Sequence, residues 1–459
     1  MSTSCFAVFI GCFTLCYSSS PLDPNTLRDV FGLPSLAAGT PIPAESQMIQ
    51  ASAVTPDTEN GYIVDRDYWD AFDDFSINAT EYDIFDWTIT KRVATSTNEN
   101  FLVSPLSLKL ALAILTEAAT GVTQSELSSV LGFDLDRDVV RRKFSTIIES
   151  LQKESPQYIL KLGSRIYVTE TAQTRQMFAA IAQQFYKTEL KTIDFNDPPV
   201  AVNEINTWVS NVTDGRIADL VDEDDVSGLV VLLISTLYFK GTWRHQFAPN
   251  ATKNEVFYVT PEQQKIVPLM HINDDFHYYD SNRFDAKILR LPYLGIVSMY
   301  IVVPNSLTGL SRVVNNLVDL RKEIKYLRMH TVDVAIPKFQ FDYTSKLDET
   351  LKQMGVRTAF TDAASFPGIA RGQKAPDQLK VSTIIQKSGI EVNELGSVAF
   401  SATQISLVNK FGADSEAPVE VIANRPFLFF IQDDLRKQLL FTGRVIDPSL
   451  HDGKLKIVV

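Results

Sequence analysis

The sequence predicts an α+β fold, and three observations carry that prediction. Helix-type periodicity dominates from about Tyr82 to Val212, β-type runs dominate after it, and no repeat at a solenoid period connects the two halves. With 459 residues, 45% hydrophobic and 21% charged, the chain has material for a large core, which excludes disorder throughout. Its formal net charge of −12 argues against nucleic acid or an anionic membrane as the main partner, because both require clustered Lys and Arg.

The apolar stretch from Cys5 to Tyr17 is too short to span a bilayer and is followed by Ser18, Ser19 and Ser20. Residues 1–20 therefore read as a signal peptide, although no Lys or Arg precedes the apolar run. All three cysteines (Cys5, Cys12, Cys16) fall inside it, so the mature chain is expected to use neither disulfides nor a thiol nucleophile. Residues 21–78 read as an acidic flexible extension, with ten acidic residues against two arginines between Pro21 and Phe75. One domain over 79–448 and a C-terminal tail over 449–459 complete the expected organisation. Sequons at Asn78, Asn211 and Asn250 are candidate glycosylation sites and fit a secreted glycoprotein.

Within the domain, Phe85, Ile89 and Val93 recur at helical spacing. Ser104-Pro105 marks a helix start, with Ser as N-cap and Pro at the first position, before Leu108, Leu112 and Leu115. A strand around Ile166 to Val168 and helices around Arg175 to Phe185 and Val202 to Val212 follow. The apolar run Leu229 to Phe239 suits a central strand. Further β segments are expected at Ser298 to Val303, Val332 to Phe341, Val381 to Val392, Phe427 to Ile431 and Leu439 to Val445.

Conventional catalytic machinery is not visible. The sequence contains no G-x-S-x-G elbow, no phosphate-binding G-x-x-x-x-G-K-[ST] and no H-E-x-x-H. His245, His271, His277, His330 and His451 are scattered, and the spacing of His271 and His277 fits no metal-ligand frame, so no metal or cofactor is expected. Arg141, Arg142 and Lys143 offer weak support for polysaccharide binding against the simpler reading of a solvated helix face.

The segment from Glu394 to Pro418 is long, rich in small and polar residues and flanked by strands, a combination associated with functional loops. Ser397, Ala399, Ser401 and Thr403 share one alternating face, and Val398, Phe400, Ala402 and Gln404 share the other. Small residues at every second position let such a segment enter a sheet as a strand. Gly396 before it offers backbone freedom for a hinge. Lys410 is the sole Lys or Arg in the segment and the point at which a trypsin-like protease would cut.

Seven ordered motifs now resemble the serpin family. They are Asn100-Phe-Leu-Val-Ser-Pro-Leu-Ser107, Leu237-Tyr-Phe-Lys-Gly-Thr-Trp243, Leu291-Pro-Tyr293, Ile336-Pro-Lys-Phe339, the Glu394-Leu-Gly-Ser397 hinge, Asn424-Arg-Pro-Phe-Leu-Phe-Phe-Ile431 and Phe441-Thr-Gly-Arg-Val445. The resemblance runs from about Tyr82 to Pro448. It implies three β-sheets, eight to nine helices and an exposed reactive-centre loop. It also implies a monomer before reaction that traps a trypsin-like serine protease as a covalent acyl-enzyme by inserting its cut loop. The family's spacing places the reactive bond at Lys410-Phe411 and the hinge on Glu394, Gly396, Ser397, Ala399, Ser401 and Ala402. The sheet-opening region falls on Ser104, Ser107, Ser235, Gln386 and Trp243.

Three positions depart from the family pattern. Phe400 stands within Ala399-Phe-Ser-Ala402, where inhibitory members carry alanines, and Gln386 and Ser235 replace the usual His and Asn. Both replacements are still able to hydrogen-bond Ser104 or Ser107. Phe400 motivates the alternative of a non-inhibitory serpin acting as a carrier, binding or storage protein, which the small hinge residues oppose. Asn409-Lys-Phe-Gly412 is similar to the bait of insect haemolymph serpins that restrain melanisation, implying an extracellular clip-domain or Toll-pathway protease as target.

Overall fold

The computed structural model describes residues 81–450 except 133–135, 153–157, 216, 218, 372–378 and 397–417. Every described residue belongs to one compact unit within Trp69–Val459. The leader, the acidic extension, Asn78, hinge residues Ser397, Ala399, Ser401 and Ala402, and the Lys410-Phe411 bond lie outside the described residues.

The described chain opens with helix α1 (Glu81–Ser96), strand β1 (Phe101–Val103) and helices α2 (Pro105–Ala118), α3 (Gly121–Leu131) and α4 (Arg137–Gln152). Strands β2 (Tyr158–Thr169) and β3 (Gln173–Thr174) lead to α5 (Gln176–Tyr186), β4 (Thr188–Ile193), α6 (Pro198–Val212) and the one-turn α7 (Glu223–Val226). Then come β5 (Val231–Gly241), β6 (Lys253–Tyr258), β7 (Gln264–Ser281), β8 (Ala286–Pro292) and β9 (Val297–Pro304). Short helices α8 (Leu310–Asn315) and α9 (Leu317–Leu320) precede β10 (Arg328–Pro337), β11 (Phe339–Lys346), α10 (Asp348–Met354), β12 (Ala370–Arg371) and β13 (Thr383–Val392). Beyond the undescribed 397–417 lie β14 (Val419–Ile422), β15 (Phe427–Asp433) and β16 (Gln438–Val445). Helices come first and strands later, as expected for α+β. Among the described residues ten α-helices are present, and the excess over eight or nine lies in short pieces such as α8 and α9.

Three sheets result. The largest has nine strands in the order β1-β16-β15-β9-β8-β7-β10-β14, with β6 on β7, while β12 and β3 form a two-stranded pair. The third, β11-β13-β5-β2-β4, has the apolar run around Leu229 to Phe239 at its centre, as expected. Its two faces are covered differently. On β5, Val231, Leu233, Leu237 and Phe239 join the main core under α2, whereas Leu232 and Ile234 join a smaller core with Ile205, Trp208 and Val209 of α6. Helix α6 buries Ala201, Ile205, Trp208 and Val209, one stripe at helical spacing, and that stripe holds it on the outer face.

The β segment expected over Val332 to Phe341 is two strands belonging to two sheets. The chain turns a corner at Pro337-Lys338, where Lys338 N donates to Pro268 O at 3.0 Å, so β10 pairs with β7 and β11 with β13. Pro lacks the N–H that a continuous ladder would need.

The C-terminal strands are built into the core. β16 lies between β1 and β15, and Arg444 donates to Ala94 O, Thr97 O and Glu99 O, capping the C-terminal end of α1. Asn100 accepts from Ile446 N and Asp447 N and donates to Asp447 O. A buried Lys109–Asp86 pair at 2.9 Å, with Gln438 bonded to both, joins α1 and α2 to β16.

Candidate functional site at the strand seam and hinge turn

Strands β5 and β13 run side by side in parallel, and the chain leaves β13 toward the undescribed loop through a turn at Glu394–Gly396. Their ladder runs from Thr383↔Leu232 to Gly389↔Tyr238 and stops there among the described residues. Phe239, Lys240 and Gly241 on one strand and Ile390, Glu391 and Val392 on the other continue without direct pairing. Each keeps its pairing to the outer neighbour, up to Tyr158↔Gly241 and Phe339↔Val392. The seam is therefore laddered over its lower part and unladdered at its upper end, nearest Gly241.

Above that gap the hinge turn is clamped. Gly396 has φ +106, and a Cβ there would lie 2.3 Å from Gly241 O and 2.6 Å from Trp243 N. Only glycine meets both demands. Gly396 forms antiparallel bridges to Thr242 and to Asn393, and Trp243 N donates to Leu395 O at 3.1 Å. The Trp243 ring stacks on Tyr293 at 4.2 Å, meets Phe247 edge-on, and donates from Nε1 to Asn393 O at 2.9 Å. Burial of the ring with its N–H satisfied makes it a rigid stop beneath the turn.

Glu394 closes the clamp from the side. Its carboxylate pairs with Lys338 at 2.9 Å and accepts from Thr252 Oγ1 at 2.8 Å, while Phe247 N donates to Glu394 O at 3.0 Å. Burial opposes its ionisation, but the hydrogen bonds from Lys338, its own backbone and Thr252 outweigh that effect and hold the carboxyl below its ordinary range. The β10–β11 corner is what brings Lys338 to this point.

Lower down, Gln386 faces the start of α2. Ser104 caps that helix, accepting from Ser107 N at 3.2 Å, with Pro105 next to it as the sequence predicts. Gln386 Oε1 accepts from Ser104 N at 2.8 Å, and Nε2 donates to Ser104 O at 2.9 Å and Ser107 Oγ at 2.8 Å. Ser235, able in principle to do likewise, does not. Its hydroxyl is buried with no hydrogen-bond partner among the described residues, because its short side chain stands one strand away while the longer Gln386 amide occupies the partners on Ser104 and Ser107.

Ser235 belongs to a polar row crossing the sheet. Ser345, Gln386, Ser235, Ser164 and Thr188 are register partners on five successive strands, all buried on the core face. Among the described residues the hydroxyls of Ser345, Ser235 and Ser164 have no partner, nor do Ser388 Oγ and Tyr343 OH one step higher. Leaving a buried hydroxyl unpaired costs about 1–3 kcal/mol each. The native sheet thus holds unmet hydrogen-bonding capacity beside its seam.

Other expected residues lie elsewhere. Arg141 is committed to Glu117 through two bonds of 2.9 Å, which removes one cation from the basic trio on α4. Asn211, at the end of α6, and Asn250 are exposed. Among the described residues no group of three or more His, Cys, Asp or Glu could hold a metal ion, and no helix is long and apolar enough to cross a membrane. Sequence reasoning missed Lys338, Thr252 and Asn393. Lys338 was visible inside Ile336-Pro-Lys-Phe339, but its role depends on the corner.

A family model described as "Serpin (serine protease inhibitor)" matches residues 81–448. Serine protease inhibitor 2 of Anopheles gambiae is 36% identical over 375 residues, covering 79% of this chain and 91% of that protein. The crystal structure of Serpin48, a highly specific serpin of the insect Tenebrio molitor, superposes with a TM-score of 0.72 at 31% identity, covering 84% of this chain and 100% of that one. Corticosteroid-binding globulin of Ovis aries is 29% identical over 386 residues, covering 81% of this chain and 86% of that protein.

Proposed function

The chain belongs to the serpin family, and from that premise we propose that it is a secreted suicide inhibitor of a trypsin-like serine protease. The protease serine attacks the carbonyl of Lys410, the Lys410-Phe411 bond breaks, and Lys410 stays esterified to the enzyme while the new amine leaves on Phe411. The freed segment beginning at Ser397 then enters the β5–β13 seam as a strand and carries the acyl-enzyme with it. One observation carries the reading. The two strands stop pairing at Gly389↔Tyr238, directly below the turn from which the small-residue segment departs. An inserted strand would gain backbone hydrogen bonds to both neighbours at about 1 kcal/mol net each, so the open seam is the reservoir that drives trapping.

In this reading the leader 1–20 directs export, 21–78 is a flexible acidic extension, and Asn78, Asn211 and Asn250 are glycan acceptors. The target is a clip-domain protease of prophenoloxidase activation or the Toll pathway, by the Asn409-Lys-Phe-Gly412 bait. The test mixes purified protein with trypsin and follows it by denaturing gel electrophoresis and mass spectrometry. A covalent band at the combined mass less a released peptide beginning at Phe411 is expected, and Lys410→Ala should remove both. Clean cleavage without a complex would favour the second reading, a binding or carrier protein, which the likeness to a corticosteroid-binding globulin and the presence of Phe400 support.

A further inference from the structure

We propose that the corner leading into β10, which presents Lys322, Lys325, Tyr326, Arg328 and Met329, is a second docking surface for the protease and takes an acidic patch on it. The proposal rests on the inhibitory reading above and adds a determinant of target choice outside the reactive bond.

The corner is held rigidly. After α9 the chain makes a 3-10 turn over Ile324–Tyr326, and Leu327 beyond it is buried. Glu323, also buried, accepts from Ser281 Oγ at 2.7 Å, which ties the turn to the end of β7. Arg328 Nη1 donates to Leu327 O at 2.7 Å and to Lys325 O at 3.0 Å, so the turn is braced from within. Tyr326 lies against Tyr279 with ring centroids 5.5 Å apart, and Lys325 Nζ stands 4.9 Å from the centre of the Tyr326 ring.

Its chemistry runs against that of the whole chain. From Arg321 to His330 four cations stand against one acid, the buried Glu323, in a protein of formal net charge −12. Lys322 pairs with Asp319 at 2.8 Å, but neither Lys325 nor Arg328 has a carboxylate partner among the described residues. Beside these cations Tyr326 is 45% and Met329 49% exposed. Tyr, Met and Arg are the types that protein interfaces concentrate, while charges at the rim steer the encounter. A polysaccharide would use the cations alone, so the exposed Tyr326 and Met329 point to a protein.

Position selects which protein. β14 begins at Val419↔Val332, so the first four residues of β10, Arg328 to Thr331, run past its start and pair with β7 alone. Met329 is three residues from Val332 along the strand, about 10 Å. The segment that carries Lys410-Phe411 rejoins the described fold at Pro418, one residue before β14. Phe411 precedes Pro418 by seven residues, a reach of at most about 25 Å, and a protease domain of ordinary size is about 40 Å across. An enzyme engaged at the reactive bond therefore has this corner within its reach.

The test measures second-order rates at which the full chain inhibits two trypsins of the same Lys/Arg specificity, the anionic and the cationic isoform. The variant is Lys322→Glu with Lys325→Glu, which leaves the Arg328 bonds in place. At low ionic strength it should lose about tenfold against the anionic enzyme and gain against the cationic one, and both changes should shrink at high salt. Tyr326→Ala should lose about threefold against the anionic enzyme at either salt. A control with the same change of net charge elsewhere, Arg142→Glu on α4 with Lys187→Glu after α5, should keep the native rates. Native rates in the first variant, or an equal loss in the control, overturn the docking surface, and a covalent complex in the same assay leaves the inhibitory reading standing. Cleavage by both trypsins without a complex overturns the inhibitory reading as well. Binding to immobilised dextran sulfate that the first variant abolishes, with its inhibition rates unchanged, also overturns the proposal and assigns the corner to a polyanion.

Discussion

The two ends of the β5–β13 seam differ in how their polar groups are met. At the hinge turn, Trp243 Nε1, the Glu394 carboxylate and the backbone around Gly396 have partners at close range. Around Gln386, the amide is engaged, yet hydroxyls on both sides of it are buried without partners among the described residues. Such a molecule is held by a few satisfied contacts at one end, while unmet hydrogen-bonding capacity accumulates in the middle. On the proposed insertion mechanism, the difference separates what would keep the sheet closed from what would reward its opening, the two things a kinetically trapped native state needs.

Substitutions can break that contrast at its strongest point first. Gly396→Ala places a Cβ against Gly241 O at a strained φ, and the native form should lose about 3 kcal/mol, read as a lower thermal midpoint. Gln386→Ala leaves Ser104 N and the Ser107 hydroxyl without their partner and should cost about 2–3 kcal/mol in denaturant unfolding. Lys338→Met removes the cation beside a Glu394 that is 12% exposed, but Lys338 is itself 38% exposed, so screening holds the loss to about 1 kcal/mol. The sign with pH follows from the lowered carboxyl. The contribution of Glu394 is present above the unfolded value of about 4.3 and is lost as pH falls through the lower folded value. Urea midpoints from pH 6 to pH 3 should show that loss in the native protein and a flatter profile in Lys338→Met. Ser235→Ala should act in the opposite direction, stabilising the native form by about 1 kcal/mol because it deletes an unpartnered hydroxyl. A destabilised Ser235→Ala protein would show that the hydroxyl has a partner, and the contrast would fail.

Much of this was legible in the chain because it is local. Ser104-Pro105 announces its helix, and the uninterrupted run to Phe239 announces a strand buried on both faces. Neither depends on anything distant. The corner at Lys338 left only a faint trace, a shift of the apolar phase from Val332, Val334 and Ile336 to Phe339 and Phe341 across Pro337-Lys338, and which two sheets the halves join is set by pairing to distant strands. The same limit hid the Lys338–Glu394 pair, which joins residues 56 apart, and the isolation of the Ser235 hydroxyl. A serine's capacity to bond is written in its chemistry; whether a partner arrives depends on register across three strands.

The anchoring of β14, β15 and β16 changes what a cut between 397 and 417 would produce. Both products would remain engaged through the β16 pairings, Arg444 and Asn100, so the nicked protein is an intertwined heterodimer rather than a chain with a lost tail. Its unfolding then becomes a dissociation governed by mass action, with a midpoint that depends on protein concentration where that of the intact chain does not.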